Sequence, residues 1–225
     1  LVEALRAEAE GRRDICIYPR DPHVLVAQAP QELFVDPSYT YRLWFHQAPA
    51  TRDPQKALFV RAMSKPEDAA VVNRIYVRCG MVPAPVEVLW ANQQSRQVTY
   101  LVAEDVASGE IVGTVTGVDH EATFGDPEGG TSLWCLAVDP AARVPGTGEA
   151  LVRALVDRFR ARGRAYLDLS VMHDNAPAIA LYEKLGFERV PVFAVKRKNP
   201  INERLFAGPR DSFDGLNPYA RIVAD

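Results

Sequence analysis

The chain has 225 residues, of which 48% are hydrophobic and 24% charged, with 26 Lys and Arg against 29 Asp and Glu and a net charge of -3. That is an ordinary globular balance with material for one main domain plus smaller additions. The slight acidic excess argues against a nucleic-acid or anionic-membrane partner. Cys16, Cys79 and Cys135 are far apart and form no C-x-x-C. An odd, scattered set predicts reduced thiols in a cytoplasmic protein, not a disulfide frame or a zinc site, and the four scattered histidines add no metal site. No apolar run approaches the ~20 residues that span a membrane, and no signal peptide opens the chain. The first residue is Leu, so the sequence is expected to be a fragment with further flanks.

In chain order, "LVEALRAEAE" (1–10) is helix-friendly, with Gly11 as its stop. Short β-like runs follow at Ile15–Tyr18, His23–Ala27 and Tyr39–Phe45, separated by Pro and Asp turn signals. "HQAPATRDPQKA" (46–57) has little apolar content and is expected to be a linker. From Leu58 the pattern becomes regular. "LFVRAM" predicts a strand, and "SKPEDAAVVNRIYVRCGM" a helix with Ser64 as its cap and Pro66 in its first turn. "VEVLWANQQ" predicts a shorter helix, and "VTYLVAED" and "IVGTVTGVDH" the arms of a β-hairpin. After the polar loop "EATFGDPEGG", the apolar run "SLWCLAV" suits a central strand. The next helix carries an apolar stripe at Ala150, Leu151, Ala154, Leu155 and Phe159. "AYLDLSVM" is a strand, "APAIALYEKLGF" a helix and "RVPVFAVKR" a last strand. The expected architecture is α/β (α+β), a mixed central sheet with helices on both faces. The expected organisation is an N-terminal satellite and linker over 1–57, a main domain over 58–197 and a C-terminal extension over 198–225.

Two segments carry chemistry. In Arg143-Val144-Pro145-Gly146-Thr147-Gly148, two glycines lie where a strand hands over to a helix. Helix N-termini carry unpaired N–H groups and partial positive charge, so this turn is a candidate phosphate cradle, with a plain connection as the alternative. A dinucleotide fingerprint needs a small residue where Leu151 stands, and a P-loop needs Gly-Lys-Ser/Thr; neither fits. In "HDNAPAIALYEKLGF", Asn175 is placed as a helix cap and Gly186 as the stop, with Tyr182 between them. Simple packing of Tyr182 is the alternative to a functional role.

Together the two segments resemble the GNAT family of acyl-CoA-dependent N-acyltransferases. Arg143, Gly146 and Gly148 match the family's Gln/Arg-x-x-Gly-x-Gly/Ala. Asn175, Ala178, Leu181, Tyr182, Gly186 and Phe187 match its Asn-x-x-Ala-x-x-Leu-Tyr-x-x-x-Gly-Phe. The resemblance covers 58–197 and implies acetyl-CoA as acyl donor. It places the pantetheine arm and acetyl carbonyl along Leu136, Ala137 and Val138, and the pyrophosphate on the turn of Val144, Gly146, Thr147, Gly148 and Glu149 beside Arg143. It places Asn175 at the cofactor arm and makes Tyr182 the proton donor to the departing thiolate. The glycines would let the backbone approach a diphosphate without a Cβ in the way.

Two departures stand out. Pro145 lacks an N–H, so one donor of the turn is missing. Ser132 and Ser170 occupy positions where many relatives carry a glutamate base. His120, His173, Asp119 and Asp168 lie near in sequence as structural or acceptor-binding groups. At pH 7.5 roughly a quarter of an α-amine with pKa near 8 is already neutral, against about one part in a thousand of a lysine. A site without a carboxylate base therefore suits an α-amino acceptor.

The outer segments, "RDPHVLVAQAPQELFVDPSYTYRLWF", "FAVKRKNPINERLFAGP" and "LNPYARIVAD", resemble the N-terminal region of N-acetylglutaminylglutamine synthetases. There a GNAT domain precedes an ATP-grasp ligase. The resemblance implies acetylation of glutamine or a glutamine dipeptide in osmolyte synthesis, with fusion to an ATP-grasp domain in the full-length protein. A protein N-acetyltransferase, or a non-catalytic acyl-CoA-binding module that serves a ligase, remain the alternatives.

Overall fold

The computed structural model describes residues 1–10, 15–48 and 56–207. The elements in chain order are α1 (Val2–Arg6), α2 (Pro22–Gln28), β1 (Leu33–Val35), β2 (Ser38–Trp44), β3 (Leu58–Ala62), α3 (Pro66–Arg78) and α4 (Val86–Gln93). They continue with β4 (Val98–Asp105), β5 (Ile111–Asp119), α5 (His120–Phe124), β6 (Gly130–Val138), α6 (Thr147–Ala161), β7 (Tyr166–Met172), α7 (Ala176–Lys184), β8 (Glu188–Val190) and β9 (Val195–Arg197), with a 3-10 segment at Pro200–Leu205. No helix of the described residues is long and apolar enough to cross a membrane.

Contacts divide the described chain into two units, Thr40–Val190, and Leu1–Tyr39 together with the residues from Pro191 on. The larger unit is built on a sheet of order β3-β4-β5-β6-β7-β2-β8, antiparallel from β3 to β6 and parallel between β6 and β7. Successive strand residues point to opposite faces. On β5, Thr116 bonds the Tyr76 hydroxyl of α3 at 3.0 Å, while its neighbour Gly117 lies under Leu155 and Phe159 of α6. α3 and α6 therefore cover opposite faces, as the mixed-sheet expectation requires. The smaller unit pairs β1 with β9 and buries Leu5, Leu25, Ala29, Leu33 and Val195 together.

Several local expectations change. His23–Ala27 lies inside α2, not a strand. Val24 and Val26 mimic a two-residue alternation, but Leu25 and Ala29, four apart, face the core at helical spacing. Ile15–Tyr18 supplies only a single bridge, Ile17 to Val195. Lys65, not Ser64, is the cap position of α3, and the buried Asp68 carboxylate reaches back to accept from the Ser64 N–H at 2.9 Å. α1 ends at Arg6, and the expected stop at Gly11 lies outside the described residues, as do 49–55 of the linker and 208–225 of the C-terminal extension. The polar loop after β5 contains α5, capped by the Asp119 side chain and ended by Gly125 at φ 71°.

Two differences bear on the expected boundaries at 57/58 and 197/198. The strand expected at Tyr39–Phe45 forms as β2, but it sits in the seven-stranded sheet between β7 and β8, with Tyr41 opposite Arg189. "RVPVFAVKR" is two strands in two sheets, broken at Pro191, where a ladder N–H is missing. The larger unit thus includes β2 from Thr40 on and excludes β9.

Candidate active site

The centre of the sheet opens at one place. β6 and β7 pair from Gly130↔Tyr166 to Leu133↔Leu169, and the ladder ends there although β6 runs on to Val138 and β7 to Met172. On its other side β6 stays paired with β5, but the register shifts. Thr116 faces Cys135 while Gly117 faces Leu133, which leaves Trp134 as an extra residue. A bulge bends its strand and re-aims side chains. The consequence is a β6 segment, Trp134–Val138, whose β7-side edge is parted from its neighbour. The expected Leu136, Ala137 and Val138 lie on it. Ala137 is buried with Tyr76 and Tyr100 on the α3 face, so its side chain belongs to the core. Leu136 and Val138 face the start of α6.

That start has the geometry of an anion site. Gly146 caps α6 at φ 78°, a left-handed conformation that favours glycine. The Thr147 hydroxyl donates to the Val144 carbonyl at 2.9 Å, and the first intrahelical bond is Ala150 N–H to Gly146 O at 2.9 Å. The N–H groups of Thr147, Gly148 and Glu149 therefore have no intrahelical acceptor, at the positive end of a 15-residue helix. Glu149 would repel an arriving anion, but its carboxylate is matched by Lys184 at 2.6 Å and Arg153 at 2.9 Å. The bond from Lys184, then that from Arg153, holds it below the usual carboxylate range against the opposing effect of burial. Arg143 stands on the exposed loop before this turn.

Gly146 has a local reason of its own, whereas a Cβ at Gly148 would make only ordinary contacts. Gly146 is required by its positive φ. A Cβ on Gly148 would point inward, 3.4 Å from Leu181 Cδ2, 3.8 Å from Val138 Cγ2 and 3.9 Å from Leu136 Cδ2. Gly148 is therefore the place where α6, β6 and α7 come together.

α7 starts as its sequence predicts. The Asn175 side chain accepts from the Ala178 N–H at 3.3 Å, with proline in the first turn. Gly186 at φ 89° ends the helix and lets Phe187 fold back on Tyr182, with ring centroids 5.6 Å apart. Tyr182 is 5% exposed, and its hydroxyl has no hydrogen-bond partner among the described residues. Burial first, and the neighbouring Cys135 second, push its pKa up to about 12. Leu136 and Val138 of β6 thus meet α6 at Gly148 and α7 at Leu181, Cys135 of β6 neighbours Tyr182, and Asn175 stands at the start of α7.

The other side of the same strands carries groups that a motif search passes over. Ser132 stands opposite Asp168 in the β6–β7 register, and its hydroxyl accepts the Trp134 indole N–H at 2.8 Å. The Asp168 carboxylate is held by Arg42 of β2 through two bonds of 2.7 and 2.8 Å. The Arg42 guanidinium in turn lies 3.8 Å from the Tyr166 ring centroid and 5.1 Å from that of Trp44. Ser170 and His173 are exposed. Asp119 caps α5 and bonds Arg164 at 2.8 Å, which makes it structural. Burial lowers the pKa of His120, against the pull of Asp168, Asp126 and Asp119. Of this surface the sequence offers Ser132, Asp168, Asp119 and His120 as candidates, but gives no sign of Trp134, Arg42 or Tyr166.

The acetyltransferase (GNAT) family profile matches residues 69–187. Over 94 residues the chain is 42% identical to a mycothiol acetyltransferase of Saccharomonospora viridis, a match that covers 40% of this chain and 30% of that protein. Over 61 residues it is 46% identical to a [ribosomal protein bS18]-alanine N-acetyltransferase of Escherichia coli K12, covering 27% of this chain and 41% of that protein. The chain therefore spans less than half the length of these curated relatives. Among solved structures, a GCN5-related N-acetyltransferase from Sphaerobacter thermophilus superposes with a TM-score of 0.58 at 20% identity, over 81% of this chain and 58% of that one. The yncA protein of Salmonella typhimurium, solved with its cofactor acetyl-CoA, superposes at 0.50 with 20% identity, over 64% and 96%. With a profile match over more than half its length, on this sheet order and these two motifs, the chain belongs to the acetyltransferase (GNAT) family, whose acyl donor is acetyl-CoA.

Proposed function

We propose that the chain transfers the acetyl group of acetyl-CoA to the α-amine of a small acceptor, glutamine or a glutamine dipeptide. The observation that carries this reading is the end of the β6–β7 ladder at Leu133↔Leu169, flanked by the unpaired N–H groups of α6 and the partnerless Tyr182 hydroxyl. In this reading the parted β6 edge at Leu136, Ala137 and Val138 holds the pantetheine arm through its backbone. The N–H groups of Thr147, Gly148 and Glu149, with Arg143 and the Val144–Gly146 turn beside them, hold the pyrophosphate, and Asn175 borders the arm. The β6 backbone stabilises the oxyanion that forms when the neutral amine attacks the thioester carbonyl. Tyr182 donates its O–H toward the sulfur as the C–S bond breaks, and the proton shed by the amine leaves through water.

Ser132 and Ser170 supply no base, which favours an acceptor already partly neutral near pH 8. The acceptor's identity, an osmolyte pathway and fusion to an ATP-grasp ligase rest on the likeness of the outer segments to N-acetylglutaminylglutamine synthetases. A cytoplasmic setting belongs to the same proposal, supported by Cys16, Cys79 and Cys135, none of which is in a disulfide among the described residues. Mass spectrometry of products from acetyl-CoA and a panel of amino acids, dipeptides and longer peptides tests the reading. Acetylated glutamine or Gln-Gln, with unmodified longer peptides, is the expected result. Acetylated peptides alone select a protein N-acetyltransferase, and acetyl-CoA binding without any product selects a docking module.

A further inference from the structure

Trp134 is 59% exposed on a strand whose other large residues pack inward, and it is held there twice. The bulge places it as the extra residue of β6, at the point where β7 parts from the strand. Its indole N–H is tied to the Ser132 hydroxyl at 2.8 Å. A large apolar surface fixed in the open, one step from an opened ladder, is suited to contact a ligand and not to fill a core. Beside Ser132, on the same face by register, lies the Arg42–Asp168 pair, with side chains 25% and 21% exposed. The Tyr166 and Trp44 rings lie against the Arg42 guanidinium, their centroids 3.8 and 5.1 Å from it.

Within the transferase reading proposed above, on which it rests, we infer that Trp134 and the Arg42–Asp168 pair form the acceptor subsite, and that the subsite selects an amine whose side chain ends in a carboxamide. A carboxamide complements this pair. The two ion-pair bonds use the Nε–H and one Nη2–H of Arg42 and leave its other N–H donors; each Asp168 oxygen accepts one of them and keeps a further lone pair. The pair is neutral overall, so a charged side chain gains little there and still sheds its hydration. A carboxamide carries both a donor and an acceptor, which meet Asp168 and Arg42, while its flat face and methylene stem lie against the indole. Ser132 positions Trp134 and does not act as a base.

The test compares kcat/KM for glutamine, glutamate and glycine in the full chain. Glutamine should exceed glutamate by at least tenfold. Trp134→Ala should raise KM for glutamine about tenfold more than KM for glycine, with acetyl-CoA affinity within about twofold. Trp134→Phe should recover most of the loss. Asp168→Asn leaves the Arg42 charge unbalanced and should move the preference toward glutamate, a change that a merely structural role would not produce. Equal use of glutamine and glutamate, or the same KM penalty for glycine in Trp134→Ala, overturns the subsite while leaving the transferase intact. Trp134 is a surface residue, so its variants report even where Asp168→Asn does not fold. Absence of turnover with every amine refutes the transferase reading, and the subsite with it.

Discussion

Replacing Tyr182 by Phe removes one oxygen from a side chain that is 5% exposed and whose hydroxyl bonds no described group. No partner is stranded, so stability should change by no more than about 0.5 kcal/mol near pH 7. The rate is a different matter. With its pKa up to about 12, the hydroxyl is a weak acid. A thiol has a reference pKa of about 8.5, so full transfer from Tyr182 to a thiolate runs uphill by about 3.5 units, or roughly 5 kcal/mol. Tyr182 therefore acts best as a hydrogen-bond donor to the sulfur as charge develops, which puts its contribution at the low end of the usual 10²–10⁴-fold range. We expect Tyr182→Phe to lower kcat by about 10²-fold, equivalent to roughly 2.7 kcal/mol, with acetyl-CoA affinity from calorimetry within about twofold. The pH profile supplies the check. A hydroxyl titrating near 12 stays protonated through pH 10, so kcat/KM should rise with the acceptor's own amine, with a midpoint near pH 8 and a plateau from about pH 9, and show no fall below pH 10. A loss under about threefold would mean that Tyr182 only packs against Phe187. An alkaline fall near pH 9–10 that disappears in the variant would mean that the hydroxyl titrates normally, and the burial argument would be wrong. Linkage gives a third reading. The unfolded chain ionises this tyrosine near pH 10 and the folded one near 12, so stability is intact below 10 and lost by up to about 3 kcal/mol as pH rises between them. The variant should lack that loss.

Gly117→Ala should destabilise the larger unit without touching cofactor affinity. The new Cβ would stand 2.6 Å from both Leu155 Cδ1 and Phe159 Cε2, two side chains with no exposure and no room to give. Overpacking of this kind costs about 1–3 kcal/mol, read as a Tm fall of roughly 2–12 °C; an unchanged Tm would refute the close α6–β5 contact. Glu149→Gln should cost about 0.5–1 kcal/mol at pH 7, a figure discounted because Lys184 is 56% exposed. The Glu149 pKa is lowered, so its contribution is present above the usual carboxylate range and fades as pH falls through the folded value. Denaturant melts of wild type and variant should therefore converge in acid, and a gap that persists there would refute the ion-pair account.

What the sequence determined by itself is local. The hairpin of β4 and β5, the cap at Asn175, the stop at Gly186 and the glycine turn before α6 are set by residues within a few positions of one another, where backbone sterics and single hydrogen bonds decide. The family motifs are of the same kind. Tertiary structure alone decided three things. β2 enters the large sheet because its partners are β7 and β8, more than a hundred residues further on, and strand propensity carries no information about partner. The opening between β6 and β7 depends on where one ladder stops and on a bulge opposite Thr116, both properties of pairs of strands. Arg42 and Asp168 are 126 positions apart, and nothing near either one announces the other. The exposure of Trp134 follows from the same source. An apolar run predicts burial on both faces, but a face is buried only where a helix covers it, and which part of β6 lies open is settled by packing between distant elements.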